Sequence, residues 1–166
     1  AVIAYSAAVK EYIRRRVDIS GIPFYYIAFT DFKRMTFKKY QREYGVIRFA
    51  YIGSFFNWHK LNTLIDAFEQ VHLRGHNFEL YLIGNGPDFK TVKSRVDKLP
   101  WKNKIILTGV LDGVKLDQIM EKFHVGIVSN ALWFQGPVKL FQYSAAQICV
   151  ISKKTPTISS LFGQSK

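Results

Sequence analysis

One cysteine in 166 residues, Cys149, leaves the chain no internal disulfide to form. Its neighbours Ile148 and Val150 are apolar, which predicts a buried strand position and an inert thiol in a reducing compartment. No apolar run approaches the roughly 20 residues that cross a bilayer, and neither end carries the pattern of a targeting segment, so a cytoplasmic protein is expected. The chain opens on Ala1 rather than Met, which reads as an excised or incomplete product. The four histidines, His59, His72, His76 and His124, lack metal-ligand spacing and have no cysteine or carboxylate cluster beside them; neither a metal nor a cofactor is expected. A nucleophile elbow, a Walker lysine loop and a full dinucleotide fingerprint are all missing. Carboxylates are scarce, with 12 Asp+Glu against 24 Lys+Arg and a formal net charge of +12. Such a chain attracts phosphates, whether of nucleotide diphosphates, anionic lipids or nucleic acid. Much of the excess lies in two clusters, Arg14–Arg16 and Lys33–Arg42, each of which is either a binding patch or a solvated helix face.

What is present is periodicity. A 48% hydrophobic chain of 19.2 kDa can bury one core. Short apolar runs at Phe49–Ile52, Leu80–Ile83, Ile105–Leu107, Val125–Val128 and Ile148–Ile151 read as buried strands. Between them, Leu61, Leu64, Ile65, Phe68 and Val71 share a helical face, as do Phe89, Val92 and Val96, and then Leu116, Ile119, Met120 and Phe123. The alternation predicts an α/β fold, a parallel sheet with helices on both faces, joined by right-handed βαβ units. Ligands of such sheets bind at the carboxyl ends of the strands.

The first residues differ in character. A strand over Val2–Tyr5, an N-cap at Ser6, a helix through Arg16 and an aromatic extended stretch at Pro23–Phe29 precede a basic, tyrosine-rich segment. That segment, Asp31–Tyr44, reads as a connecting helix closed by Gly45. Residues 1–45 are therefore expected to be an appendage and 46–166 the core domain.

Three loops fall where ligands bind. Gly53 follows the first core strand, and Ser54-Phe55-Phe56-Asn57-Trp58-His59-Lys60 leads into a helix beginning near Asn62. A glycine there permits close approach of a phosphate, although it also makes an ordinary turn; Phe55 and Phe56 read as core, Trp58 as core or cleft rim. Ile83-Gly84-Asn85-Gly86-Pro87 and Thr108-Gly109 end the next two strands with the same ambiguity. Gly136-Pro137-Val138-Lys139-Leu140-Phe141-Gln142-Tyr143 is more informative. Gly-Pro opens a helix whose free N–H groups can receive an anion, Lys139 on the first turn can neutralise it, and Gln142 lies one turn on.

Taken in order, Ala-Tyr-Ser with its helix, Tyr-Ile-Gly-Ser-Phe with Leu-Ile-Asp-Ala-Phe starting eleven residues past Gly53, Ile-Gly-Asn-Gly-Pro, Leu-Thr-Gly-Val, Val-Gly-Ile-Val-Ser and Pro-Val-Lys-Leu-Phe-Gln-Tyr-Ser-Ala-Ala form a pattern. It resembles the C-terminal, nucleotide-sugar-binding domain of glycosyltransferases of the GT-B fold, family 4 above all. The resemblance implies a Rossmann-like half of a two-domain enzyme, with residues 1–45 as the tail of the N-terminal domain and linker. It implies residues 46–166 as the donor domain, incomplete at its C-terminus. It further implies transfer with retention from a nucleotide diphosphate-sugar to a glycan or lipid-linked acceptor, without a required metal.

Carried over by position, Gly53 and Ser54 would approach the diphosphate with His59 or Lys60 near its charge. Gly109 and Val110 would lie near the base. Gly136, Pro137, Val138 and Lys139 would face diphosphate and sugar, and Gln142 the ribose. The implied partners are the nucleotide-sugar, a missing N-terminal acceptor domain and a peripheral contact with the inner face of the cytoplasmic membrane; nucleic acid has only charge and tyrosines in its favour. No catalytic residue is assigned, and the isolated chain is expected to be inactive. The family has Arg where Ser54 stands and Lys where His59 stands. Its Glu-x7-Glu pair is replaced by Phe134 and Gln142, and its Gly-Lys-Pro by Gln147, Ile148 and Cys149. These departures leave open a second reading, a degenerate noncatalytic module that binds an anionic partner.

Overall fold

The computed structural model describes residues 1–4, 7–26, 45–135 and 138–162. Its elements in chain order are β1 (Val2–Ala4), α1 (Ala7–Arg14), β2 (Phe24–Tyr26), β3 (Ile47–Ile52), α2 (Leu61–Leu73), β4 (Phe78–Ile83), α3 (Phe89–Asp97), β5 (Ile105–Gly109), α4 (Gly113–Met120), β6 (Val125–Val128), α5 (Val138–Ala145), β7 (Cys149–Ser152) and α6 (Pro156–Phe162). Single 3-10 turns at Asn57–His59 and Lys102–Lys104 lead into α2 and β5.

Five strands form one parallel sheet in the order β5-β4-β3-β6-β7, while β1 and β2 pair in parallel as a separate ribbon. The alternation of side chains along a strand explains why the central strands are apolar throughout. Tyr51 of β3 joins Leu61, Ile65, Phe68, Val92 and Val96 of α2 and α3 on one face. Ala50 and Ile52 of the same strand join Met120, Leu140, Tyr143 and Ile158 of α4, α5 and α6 on the other. The chain builds outward from β3 through β4 to β5, then returns to the opposite side of β3 for β6. The switch in direction leaves a crevice above the carboxyl ends of β3 and β6.

The expected α/β architecture and all five core strands are present. Ile47 and Arg48 extend β3 at its start, with the half-buried Arg48 guanidinium donating to Glu79 at 2.9 Å. Phe123, expected on the face of a helix, lies beyond the end of α4 and is fully buried. Cys149 corrects the sequence reading: it is in a strand, but exposed. β7 pairs only with β6 in the sheet, and Cys149 alternates with the half-buried Val150 so that it and the 55% exposed Ile151 face outward. Ser6, the helix expected over Asp31–Tyr44 and the cluster Lys33–Arg42 lie outside the described residues.

The N-terminal helix rests on the core. The Tyr12 ring of α1 lies 4.0 Å from that of Phe134 and 6.0 Å from that of Trp133, between centroids, and the Arg15 guanidinium is 5.2 Å over Trp133. Thr157 of α6 donates its hydroxyl to the Trp133 carbonyl at 3.1 Å, fixing the same loop from the other side.

α5 closes on Gln147 in the left-handed region (φ 55), with Gln147 N–H donating to Ser144 O at 3.0 Å and Ile148 N–H to Tyr143 O at 2.9 Å. These bonds satisfy the last helix carbonyls, but the conformation favours glycine. Relief of about 1 to 2 kcal/mol of steric cost, partly offset by glycine's greater freedom when unfolded, predicts that Gln147→Gly stabilises the chain by about 0.5 to 1 kcal/mol. The urea midpoint of the two proteins checks it.

Candidate functional site

The loops above the sheet are built on backbone contact. Gly53 N–H donates to Ile83 O at 2.9 Å, Phe55 N–H to Asn85 O at 2.9 Å, Asp88 N–H to Phe55 O at 2.9 Å and Gly84 N–H to Gly109 O at 2.8 Å. A Cβ on Gly84 (φ 136) would stand 1.9 Å from Gly53 O, and one on Gly86 would stand 2.6 Å from Phe55 O. The glycines of Ile83-Gly84-Asn85-Gly86 therefore admit the β3–α2 loop against the β4–α3 loop, a packing role.

Across the crevice, α5 is held by Tyr143. Its hydroxyl accepts from Ile52 N–H and donates to Ala50 O, both at 3.1 Å, so the helix is bonded to the backbone of β3. The ring lies over β6 at Gly126, where a Cβ would come within 2.4 Å of it. Burial pushes the Tyr143 hydroxyl far above its usual range, so it stays a donor. Leu140 and Ala145 are buried beside it, while Lys139, one turn before Tyr143, and Gln142, the residue just before it, are half-buried.

The two sides are tied together by polar groups. The Ser129 hydroxyl, just past β6, donates to His59 O, and Asn130 Nδ2 donates to Trp58 O at 2.5 Å. Lys153 Nζ reaches Asn130 Oδ1 at 3.4 Å from the end of β7. Ser129 and Asn130 were absent from the sequence expectations. Their signal was present, since two polar side chains directly follow an apolar strand at its carboxyl end. Tyr143 gave no such signal, because a tyrosine on an apolar helix face reads as core.

The expected residues fall into two groups. Gly53, Ser54, His59 and Lys60 share the β3–α2 loop; Val138, Lys139 and Gln142 lie on α5, which follows the neighbouring strand β6. Gly109 and Val110 lie two strands away at the end of β5, about 10 Å from β3 at ordinary strand spacing. Val110 is 73% exposed, available to a flat ligand. Gly136 and Pro137 lie outside the described residues.

The two cationic positions have distinct environments. His59 is half-buried and its pKa is lowered from 6.5, first by desolvation, against an opposing hydrogen bond that the imidazole donates to the Asn130 backbone. Lys60 is exposed and takes the left-handed conformation (φ 53) as the residue preceding α2, its ammonium 3.4 Å from Asn57 Oδ1. Lys139 donates to Gln142 Oε1 at 3.0 Å, and burial lowers its pKa. Among the described residues no carboxylate pairs with it. An ammonium desolvated without a counter-charge gains from an incoming anion.

Two measurements follow. Tyr143→Phe removes a buried hydroxyl that bridges two backbone groups of β3, and should cost about 1 to 3 kcal/mol in denaturant unfolding. His59, its folded-state pKa depressed, favours the fold when neutral. That contribution is complete above the unfolded value of 6.5 and is lost as pH falls from there through the lower folded-state value. In an NMR titration the His59 imidazole should have its midpoint below 6.5, and unfolding stability should fall less between pH 7 and 5 in His59→Gln than in the parent.

A family model described as glycosyl transferases group 1 matches residues 33–166. No curated protein matches the chain. Among solved structures it is similar to the apo form of the lipopolysaccharide outer core galactosyltransferase WaaB, at 20% identity and a TM-score of 0.68 over 93% of this chain and 44% of that one. It is similar to Anabaena HepE in complex with UDP and glucose, at 14% identity and a TM-score of 0.74 over 98% and 46% of the two chains. It is also similar to the pneumococcal O-GlcNAc transferase GtfA in complex with UDP and GlcNAc, at 14% identity and a TM-score of 0.68 over 93% and 30%. At these identities the likeness is one of fold, and the chain spans less than half the length of each of the three.

Proposed function

The chain belongs to the glycosyl transferases group 1 family and has the Rossmann-like fold of one half of a GT-B enzyme, and on that premise we propose that it is the donor-binding part of a glycosyltransferase. The donor is a nucleotide diphosphate-sugar, and the acceptor a glycan or lipid-linked sugar, with retention at the anomeric carbon. Residues 1–45 form the tail of the other domain and the linker, and residues 46–166 the donor domain. The observation that carries this reading is that the Gly53–Lys60 loop and α5, whose half-buried lysine has no carboxylate partner among the described residues, follow the two adjacent strands of one switch point. Anions are favoured in such crevices by helix N-termini and nearby cations. The structures of HepE and GtfA each contain UDP.

The diphosphate would lie between Gly53–Ser54 and Lys139, its charge met by Lys60 and by His59 once protonated. The base would lie toward Gly109 and Val110, and the ribose near Gln142. Phosphate charge would oppose the desolvation that lowers the pKa of His59 and of Lys139, favouring the charged form of each. Chemistry needs groups from the other lobe, so the chain alone binds without transferring. The exposed basic ridge Arg14–Arg16 fits loose contact with an anionic membrane on the cytoplasmic side.

Two observations favour the second reading, a noncatalytic module. Gln142 is engaged by Lys139 rather than free, and Phe134, where the resembling family has an acid, packs against the Tyr12 ring. Calorimetric titration with UDP and GDP separates the readings. Lys139→Ala should weaken nucleotide binding about tenfold or more, equivalent to about 1.4 kcal/mol, with little change in melting temperature. Unchanged affinity would remove α5 from the site. No nucleotide binding by the parent chain would leave the noncatalytic reading.

A further inference from the structure

We propose that the Phe56–Trp58 stack is a carbohydrate platform, the exposed part of the Trp58 indole, between the rings of Phe56 and His59, receiving a hexopyranose ring at the carboxyl edge of the sheet. This rests on the glycosyltransferase reading and extends it to a subsite that the diphosphate contacts do not include.

Trp58 is 44% exposed at the carboxyl edge of the sheet, although burying an aromatic of its size is strongly favourable. A lone exposed apolar side chain needs no explanation, but this one is held. Its ring lies nearly parallel to that of the half-buried Phe56, with centroids 4.2 Å apart and planes 9° apart, so one side of the indole is backed. Its carbonyl receives Asn130 Nδ2, and it sits within the 3-10 turn Asn57–His59. A surface fixed in advance loses little entropy when a ligand arrives.

The surroundings match a sugar. A pyranose presents a patch of C–H bonds on its face and hydroxyls around its rim, so it needs a flat apolar surface bordered by donors and acceptors. The border here comprises the exposed Asn57, the Lys60 ammonium and the Asn130 amide. A nucleobase would use the same kind of face, but the base is assigned to the end of β5, beyond β4. The pyranose can come from the acceptor or from the donor itself, and the ligands below separate the two.

The test is saturation-transfer NMR and calorimetry on the full chain with UDP, UDP-glucose, UDP-galactose, UDP-GlcNAc, and the methyl glycosides of glucose, galactose and GlcNAc. The expected result is that Trp58→Ala weakens at least one sugar-bearing ligand tenfold or more, leaves UDP within twofold, and that Trp58→Tyr restores most of the loss. Loss confined to free glycosides identifies an acceptor ring; loss confined to UDP-sugars identifies the donor ring. The proposal is overturned if Trp58→Ala weakens UDP as much as UDP-sugars, if it changes no sugar-bearing ligand, or if the parent chain distinguishes no UDP-sugar from UDP and binds no glycoside. Glycoside binding through Trp58 without any UDP binding would uphold the platform and sink the nucleotide reading instead.

Discussion

The Tyr143 hydroxyl is the contact on which the geometry of the crevice depends. It accepts from one backbone group of β3 and donates to another two residues earlier, near the last register pair of β3 with β6, Tyr51↔Ile127. Helix packing by apolar side chains tolerates sliding, because dispersion is nearly indifferent to small shifts. A buried two-sided hydrogen bond is not indifferent, since the hydroxyl loses both of its partners if the helix slides. Gly126 completes the constraint by letting the ring lie flat on the sheet. Lys139 and Gln142 inherit their places from this bond.

Much of the fold was legible because burial on two sides of a parallel sheet leaves apolar runs for strands and a three-to-four-residue rhythm for helices. Val125–Val128 was read to the residue, and Leu61, Ile65 and Phe68 face the core as their spacing predicts. Periodicity reports which face is buried, not which atom meets which. Hence nothing in the spacing announces that the Tyr143 hydroxyl bonds α5 to the backbone of β3. Cys149 was misread because its flanking residues are apolar, whereas its own side of β7 faces outward. Lys60 and Gln147 adopt left-handed backbone that lysine and glutamine disfavour, so no local preference could announce it. At the site, Lys139 and Gln142 were read as neighbours one turn apart, and they are hydrogen-bonded; Ser129 and Asn130 were passed over because their role is to hold another loop's carbonyls.

Charge is distributed so that the crevice keeps its excess. Glu11, Glu79, Asp97, Asp66 and Asp112 each meet a basic side chain, namely Arg15, Arg48, Lys93, Arg95 and Lys115. Three of these pairs lie within a single helical stretch, where their contribution is a few tenths of a kcal/mol each, about 0.2 to 0.5. Their larger effect is on the remainder. With these acids engaged elsewhere, the segments that follow β3, β6 and β7 carry the cations Lys60, Lys139 and Lys153, with Asp88 on the adjoining β4–α3 loop. A net charge of +12 then acts as long-range attraction for a polyanion rather than as fold stability.

The aromatic contact between α1 and the β6–α5 loop has a mechanical consequence. Trp133 and Phe134 stand a few residues before α5, and Tyr12 and Arg15 grip them from the N-terminal helix. Thr157 holds the same loop to α6 at the Trp133 carbonyl. The residues that lead toward α5 are thus clasped between the N-terminal helix and the last helix of the core, which makes α1 a buttress of the donor half rather than a loose extension of it.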